Sequence, residues 1–218
     1  LAAETGDVGI VRLLVASGAG VALTASNGGT PLERACYFGH EACIRALVES
    51  GAAVNVQREN GITALIAASN NGHEPCVRAL VESGAAVDVQ MQDGWTALMM
   101  ASQSGHEPCV RALVESGAAV NVQTKSGATA LMVASRSGHE PCVRALVKSG
   151  AAVDVQEKDG GTALVLASQM GHELCVRALV ESGAVVNMQM QGGWTALMWA
   201  SENGHEPCLR ALVESGAA

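Results

Sequence analysis

Gly-His recurs at positions 39–40, 72–73, 105–106, 138–139, 171–172 and 204–205, and every interval is 33 residues. Cysteine keeps the same clock at 43, 76, 109, 142, 175 and 208, and arginine at 45, 78, 111, 144, 177 and 210. A degenerate earlier copy carries Gly6-Asp7 and Arg12. A fixed period of this length means a stacked array, in which each unit buries its apolar face only against its neighbours. The 218 residues divide into a partial unit at 1–24, full units at 25–57, 58–90, 91–123, 124–156 and 157–189, and a partial unit at 190–218. Length alone would suggest one or two domains; the repeat predicts a single array instead.

The unit 58–90 shows what each copy folds into. Asn60-Gly61 signals a turn, because glycine takes positive φ without steric cost. Thr63 suits the N-cap of a short helix. In the preceding unit Thr30 is followed by Pro31, a first-turn residue, and by Glu33 at capping-box spacing. Residues 64–70 are small and apolar, as a tightly packed inner helix requires, and Asn71-Gly72 ends it. Pro75 fits the start of a second helix, with Cys76, Val77, Leu80 and Val81 as its buried stripe. Ser83-Gly84 closes that helix. Val87 and Val89 alternate with Asp88 and Gln90, the pattern of a short extended arm. The unit reads as turn, helix, turn, helix, arm.

Thr30-Pro31-Leu32, Thr-Ala-Leu in the later units, Ala-Ser or Ala-Ala ahead of Gly-His, and Gly-Ala-x-Val-Asn or Gly-Ala-x-Val-Asp together resemble the ankyrin repeat. The resemblance spans essentially the whole chain. It implies an all-α solenoid of helix-turn-helix units joined by β-hairpin-like loops. It also implies a concave surface of hairpin tips and inner helices, protein partners bound there, and no catalytic residues. Two family positions depart from the pattern. The histidine that usually follows Thr-Pro-Leu is replaced by Glu33, Ile66, Met99, Met132, Val165 and Met198. The usual hairpin aspartate is replaced by Ala25, Arg58, Met91, Thr124, Glu157 and Met190. Both family residues make polar contacts between units. Their loss implies interfaces resting more on apolar packing, with methionine filling irregular gaps.

Composition excludes other classes. The longest apolar run is five residues, Ala97 to Ala101, against the roughly 20 that a membrane-spanning helix needs. No signal-peptide core opens the sequence. A net charge of −8 weighs against nucleic acid, which calls for clustered Lys and Arg. With 49% apolar and 16% charged residues, the chain folds rather than staying disordered.

Some recurring residues imitate sites. His73-Glu74-Pro75-Cys76 suggests a metal, but one pair supplies two ligands where structural zinc takes four. Copies in adjacent units stand about a helix-packing distance of ~10 Å apart. No metal or other cofactor is expected. The cysteines fall on the apolar stripe, too far apart for disulfides. Seven unpaired cysteines suit a reducing compartment, the cytoplasm or, alternatively, the nucleus. Catalysis needs one asymmetric constellation, and here every candidate is copied in each unit, so no enzyme is expected. Glu74, Arg78 and Glu82 share one face of the second helix, and Glu74–Arg78 has the favourable orientation, contributing roughly 0.2–0.5 kcal/mol. The trio recurs in other units and reads as a solvated convex face, with a second docking surface as the alternative. Lys148 replaces its terminal glutamate.

Specific function is expected where the copies differ, at the tips and inner-helix ends. The second unit places Ser26, Asn27, Tyr37 and Phe38 there; the third Glu59, Asn60 and Ile62; the fourth Trp95 and Gln103. Then come Lys125 and Arg136 in the fifth, Lys158 and Met170 in the sixth, and Trp194 in the last. Four of the five aromatics fall at these positions, and aromatics anchor interface centres. Trp95 and Trp194 have a second reading, bracing one hairpin against the next unit. Lys125, Arg136 and Lys158 form a basic patch suited to an acidic region of a partner. The expected function is a protein-binding scaffold, monomeric and acting through the concave face. The alternative is a spacer or assembly element that stacks end to end, since Leu1 begins inside a unit and no polar capping repeat precedes Ala218.

Overall fold

The computed structural model describes residues 1–22, 24 and 29–217, and among them the chain is all-helical. The helices come in pairs: α1 (Ala2–Thr5) and α2 (Val8–Ala16), α3 (Pro31–Phe38) and α4 (Glu41–Glu49), α5 (Ala64–Asn70) and α6 (Glu74–Glu82), α7 (Ala97–Gln103) and α8 (Glu107–Glu115), α9 (Ala130–Arg136) and α10 (Glu140–Lys148), α11 (Ala163–Met170) and α12 (Glu173–Glu181), α13 (Ala196–Glu202) and α14 (Glu206–Glu214). First helices pack on first helices along the stack, and second on second. Ala25, Ser26 and Asn27 lie outside the described residues.

From α3 onward each first helix starts on a threonine in extended backbone, whereas α1 begins at Leu1 with no side-chain cap. The Thr63 hydroxyl accepts the Ile66 amide at 3.2 Å, and Thr30, Thr96, Thr129, Thr162 and Thr195 cap in the same way. Such caps contribute about 1 kcal/mol each. Helices of seven or eight residues are unstable alone, so packing decides their stability. In α5 every residue from Ala64 to Ser69 is buried. The second helices bury one stripe: Cys109, Val110, Ala112 and Leu113 are fully enclosed in α8, with their counterparts in α6 and α12. Met99 and Met132 are 1% exposed at the position of the family's histidine, the apolar substitution expected there.

Polar contacts between units nevertheless persist, carried by other residues. The Nε2 of each Gly-His histidine donates to a backbone carbonyl in the preceding unit: His40 to Glu4, His73 to Tyr37, His106 to Asn70, His139 to Gln103, His172 to Arg136 and His205 to Gln169, at 2.8–3.1 Å. These histidines sit at the N-caps of the second helices without capping them, because their side chains are spent on the neighbour. The dipeptide has a steric cause as well. Gly72 ends α5 at φ +75°, and a Cβ there would meet the His106 ring at 2.5 Å. Only glycine both turns the chain and leaves room for the next histidine.

The stretch after each second helix holds a turn at residues 87–88 rather than an extended arm. Its polar residue serves the next unit: Asn55 Oδ1 accepts the Ala86 amide at 2.8 Å, and Asp88 Oδ1 accepts the Ala119 amide at 2.9 Å. Turning the chain at that point is what aims these oxygens along the stack.

Candidate partner-binding surface

The hairpin tips are one-turn loops closed by their own backbone. The Met91 amide donates to the Trp95 carbonyl at 2.8 Å, and Gly94 to Met91 at 2.9 Å. Successive tips are joined: Gln92 donates to Asn60, Lys125 to Asp93, Lys158 to Ser126 and Gln191 to Asp159 through backbone amides, at 2.8–3.3 Å. Approach is so close that a Cβ on Gly94 would meet the Thr124 backbone at 2.9 Å. The tips therefore form a continuous rail whose outward side chains are set by rigid backbone.

Across the tips and the first-helix ends the sequence candidates divide. Glu59, Asn60, Gln103, Lys125, Arg136 and Lys158 are exposed. Tyr37, Phe38, Met170 and Trp194 are apolar side chains left 37–49% exposed. Ile62 and Trp95 are partly buried against the core, so bracing describes them better than an outward role. Trp194 does both, since it stays exposed while its ring lies 4.8 Å from that of Trp199. Trp199 in turn donates to the Met190 sulfur at 3.2 Å.

Ion pairs not visible in the sequence order the first-helix ends. Arg58, at one departed family position, grips Glu33, at the other, through two contacts of 2.5 and 2.8 Å, with the carboxylate buried. The exchanged pair thus rebuilds a polar inter-unit link. Arg136 reaches Glu157 at 2.8 Å. Burial pushes the Glu157 carboxyl above its usual range, and Arg136 opposes that shift. Of the three cations read as a basic patch, Arg136 is engaged by Glu157, while Lys125 and Lys158 are exposed on neighbouring tips. Near the other end Arg34 bonds Glu4 at 2.7 Å while its guanidinium lies 5.9 Å from the Tyr37 ring and 5.3 Å from Phe38. The two rings meet edge to face at 5.1 Å. This arrangement fixes both aromatics with an exposed edge. Only the spacing of charges across units could have signalled these pairs.

Among the described residues no group of three or more His, Cys, Asp or Glu side chains could hold a metal ion, and no helix is long and apolar enough to cross a membrane. The surface presents exposed aromatic and apolar side chains, amides and cations on a fixed backbone.

Comparison with known proteins fits this geometry. The sequence model of the family described as ankyrin repeats (3 copies) matches residues 1–58, 45–124, 65–157 and 131–218. The crystal structure of the human ASB11 ankyrin repeat domain superposes with a TM-score of 0.90 at 29% identity, covering 100% of this chain and 96% of that one. No curated protein matches the sequence significantly. With matches that run from the first unit to the last, and a fold that repeats with them, the chain belongs to the ankyrin-repeat family.

Proposed function

We propose that the chain is a non-enzymatic scaffold that binds a partner protein along the face made by its hairpin tips and first-helix ends. Ankyrin repeats generally serve as protein–protein interaction modules. The observation that carries the reading is the exposure of Tyr37 and Phe38 at the end of α3, of Met170 at the end of α11 and of Trp194 beside the last of the mutually bonded tips. A preorganised surface loses little conformational entropy on binding, and aromatic anchors of this kind dominate binding energy. Lys125 and Lys158 suit an acidic region of that partner. The buried free thiols support a reducing compartment, which we take to be the cytoplasm. The test is quantitative affinity capture with the native chain and with Tyr37→Ala, Phe38→Ala and Trp194→Ala variants. A partner held by the native chain and lost by the variants, with helicity retained, supports the reading. Equal capture by all of them removes it.

A second reading, an assembly element, is favoured by Ile10, Leu13 and Leu14 of α2, exposed side by side. Sedimentation of the 218-residue chain over a wide concentration range separates the two, since a constant monomer mass defeats assembly.

A further inference from the structure

The second helices carry a ladder of ion pairs from one unit to the next, and one rung is inverted. At five steps an arginine reaches the glutamate that ends the next second helix: Arg12 to Glu49, Arg45 to Glu82, Arg78 to Glu115, Arg144 to Glu181 and Arg177 to Glu214, at 2.9–3.7 Å. At the step from α8 to α10 the corresponding residue is Lys148. Arg111 is left with Glu107 of its own helix alone, and Lys148 has no carboxylate partner among the described residues.

The inversion changes the surface in two further ways. The Arg111 side chain is 65% exposed, against 40–52% for the other interior arginines Arg45, Arg78, Arg144 and Arg177, and matches the 66% of Arg12 in the first pair, whose contact is the longest of the ladder. Ala145 of α10 is only partly buried, whereas its counterparts Ala46, Ala79, Ala112 and Ala178 are at most 2% exposed. Where the bridge fails to close, a groove of about 500 Å³ opens, with Arg111, Ala145 and Lys148 on its walls. Its carboxylates are committed: Glu107 to Arg111, Glu115 to Arg78 and Glu140 to Arg144. Lysine in the last turn favours the α10 dipole, which accounts for its tolerance but not for the opened groove.

We propose that this groove binds a carboxylate side chain of an acidic protein segment, which takes the place that a glutamate holds at the other rungs. Local charge selects the occupant. A guanidinium and an ammonium line one slot whose equivalents at the other rungs are each filled by a glutamate carboxylate, and the slot's own carboxylates are already paired. A carboxylate there regains two charge-assisted bonds and covers Ala145. The site lies on the second helices and does not depend on the tip face.

The experiment titrates the chain with a fluorescein-labelled hexaglutamate peptide flanked by Gly-Ser, at low ionic strength, and follows anisotropy and backbone amide shifts. We expect saturable binding with shifts at Arg111, Ala145 and Lys148. Lys148→Glu completes the ladder and should weaken binding by about tenfold or more, the loss of one charge-assisted contact. Its thermal stability should match or exceed that of the native chain, so misfolding does not explain the loss. Glu181→Lys should open an equivalent slot and strengthen binding. Equal affinity in the native and Lys148→Glu chains, or shifts confined to Lys125 and Lys158, overturns the proposal while leaving the tip-face reading intact. Shifts produced by inorganic phosphate but not by the peptide overturn the carboxylate as occupant.

Discussion

The Gly-His pair shows how a residue's reason can lie in the next unit. Read along the chain, histidine three residues before cysteine suggests a metal; across the stack it donates to a carbonyl and fills the space a glycine leaves open. The buried cysteine stripe was legible because helical spacing encodes it locally, whereas the histidine's partner lies 36 residues away and leaves no local pattern. We expect Gly72→Ala to destabilise the chain by about 2–4 kcal/mol in urea unfolding, from strain at positive φ plus the clash with His106. Gly84→Ala, at φ +85° with nothing within 4 Å of the added carbon, should cost only about 1 kcal/mol. Adding His106→Ala to Gly72→Ala should give less than the sum, because the clash is shared. The thiols give a pH test. Burial pushes Cys109, Cys142 and Cys175 up to about 12, so the folded chain keeps these protons where the unfolded chain releases them above about 8.5. That contribution to stability is complete below about pH 8.5 and falls as pH rises toward 12. Thermal melts between pH 8 and 10 should therefore show a decline that is reduced in Cys109→Ser.

At the scale of the element, the two helices of each unit were readable because their signals are local: threonine caps, proline in the first turn and an apolar stripe every three or four residues. The stretch after the second helix was misread as extended, since Val87 and Val89 alternate with polar neighbours in either conformation. What decides for a turn is Asp88 reaching the Ala119 amide, a contact with the next unit. The Glu33–Arg58 pair escaped for the same reason. Each departure from the family pattern looked like a lost contact when taken singly, and together they make one. Helices this short draw their stability from neighbours on both sides, so position in the stack should set the cost of a core deletion. Leu80→Ala, in α6 between α4 and α8, should cost about 2–5 kcal/mol. Leu212→Ala, in α14, is equally buried but among the described residues packs on one second helix, α12, rather than two, and should cost less. Equal losses in chemical denaturation would contradict a neighbour-limited energetics.

For the molecule as a whole, stability is close to a sum of unit and interface terms, and this permits removal of an entire module. Deleting 124–156 joins unit 91–123 to unit 157–189 in register. Arg111 would then stand where Arg144 stands now, opposite Glu181, and the inverted rung would vanish with Lys148. The Gly105 pocket would receive His172 in place of His139, which leaves the histidine ladder unbroken. We expect the shortened chain to fold with unchanged helicity per residue, to lose only the stability of one unit and its interface, and to lose the hexaglutamate response. It should keep Tyr37, Phe38 and Trp194 exposed but move Trp194 one unit nearer the other two, so a partner spanning these anchors should bind more weakly although every anchor survives. Deleting 124–170 instead removes one unit together with α11, leaves α12 without its first helix, and should abolish cooperative unfolding by circular dichroism. If both deletions behaved alike, the 33-residue period would not be the unit of folding, and a partner indifferent to the in-register deletion would not be reading the spacing of the anchors.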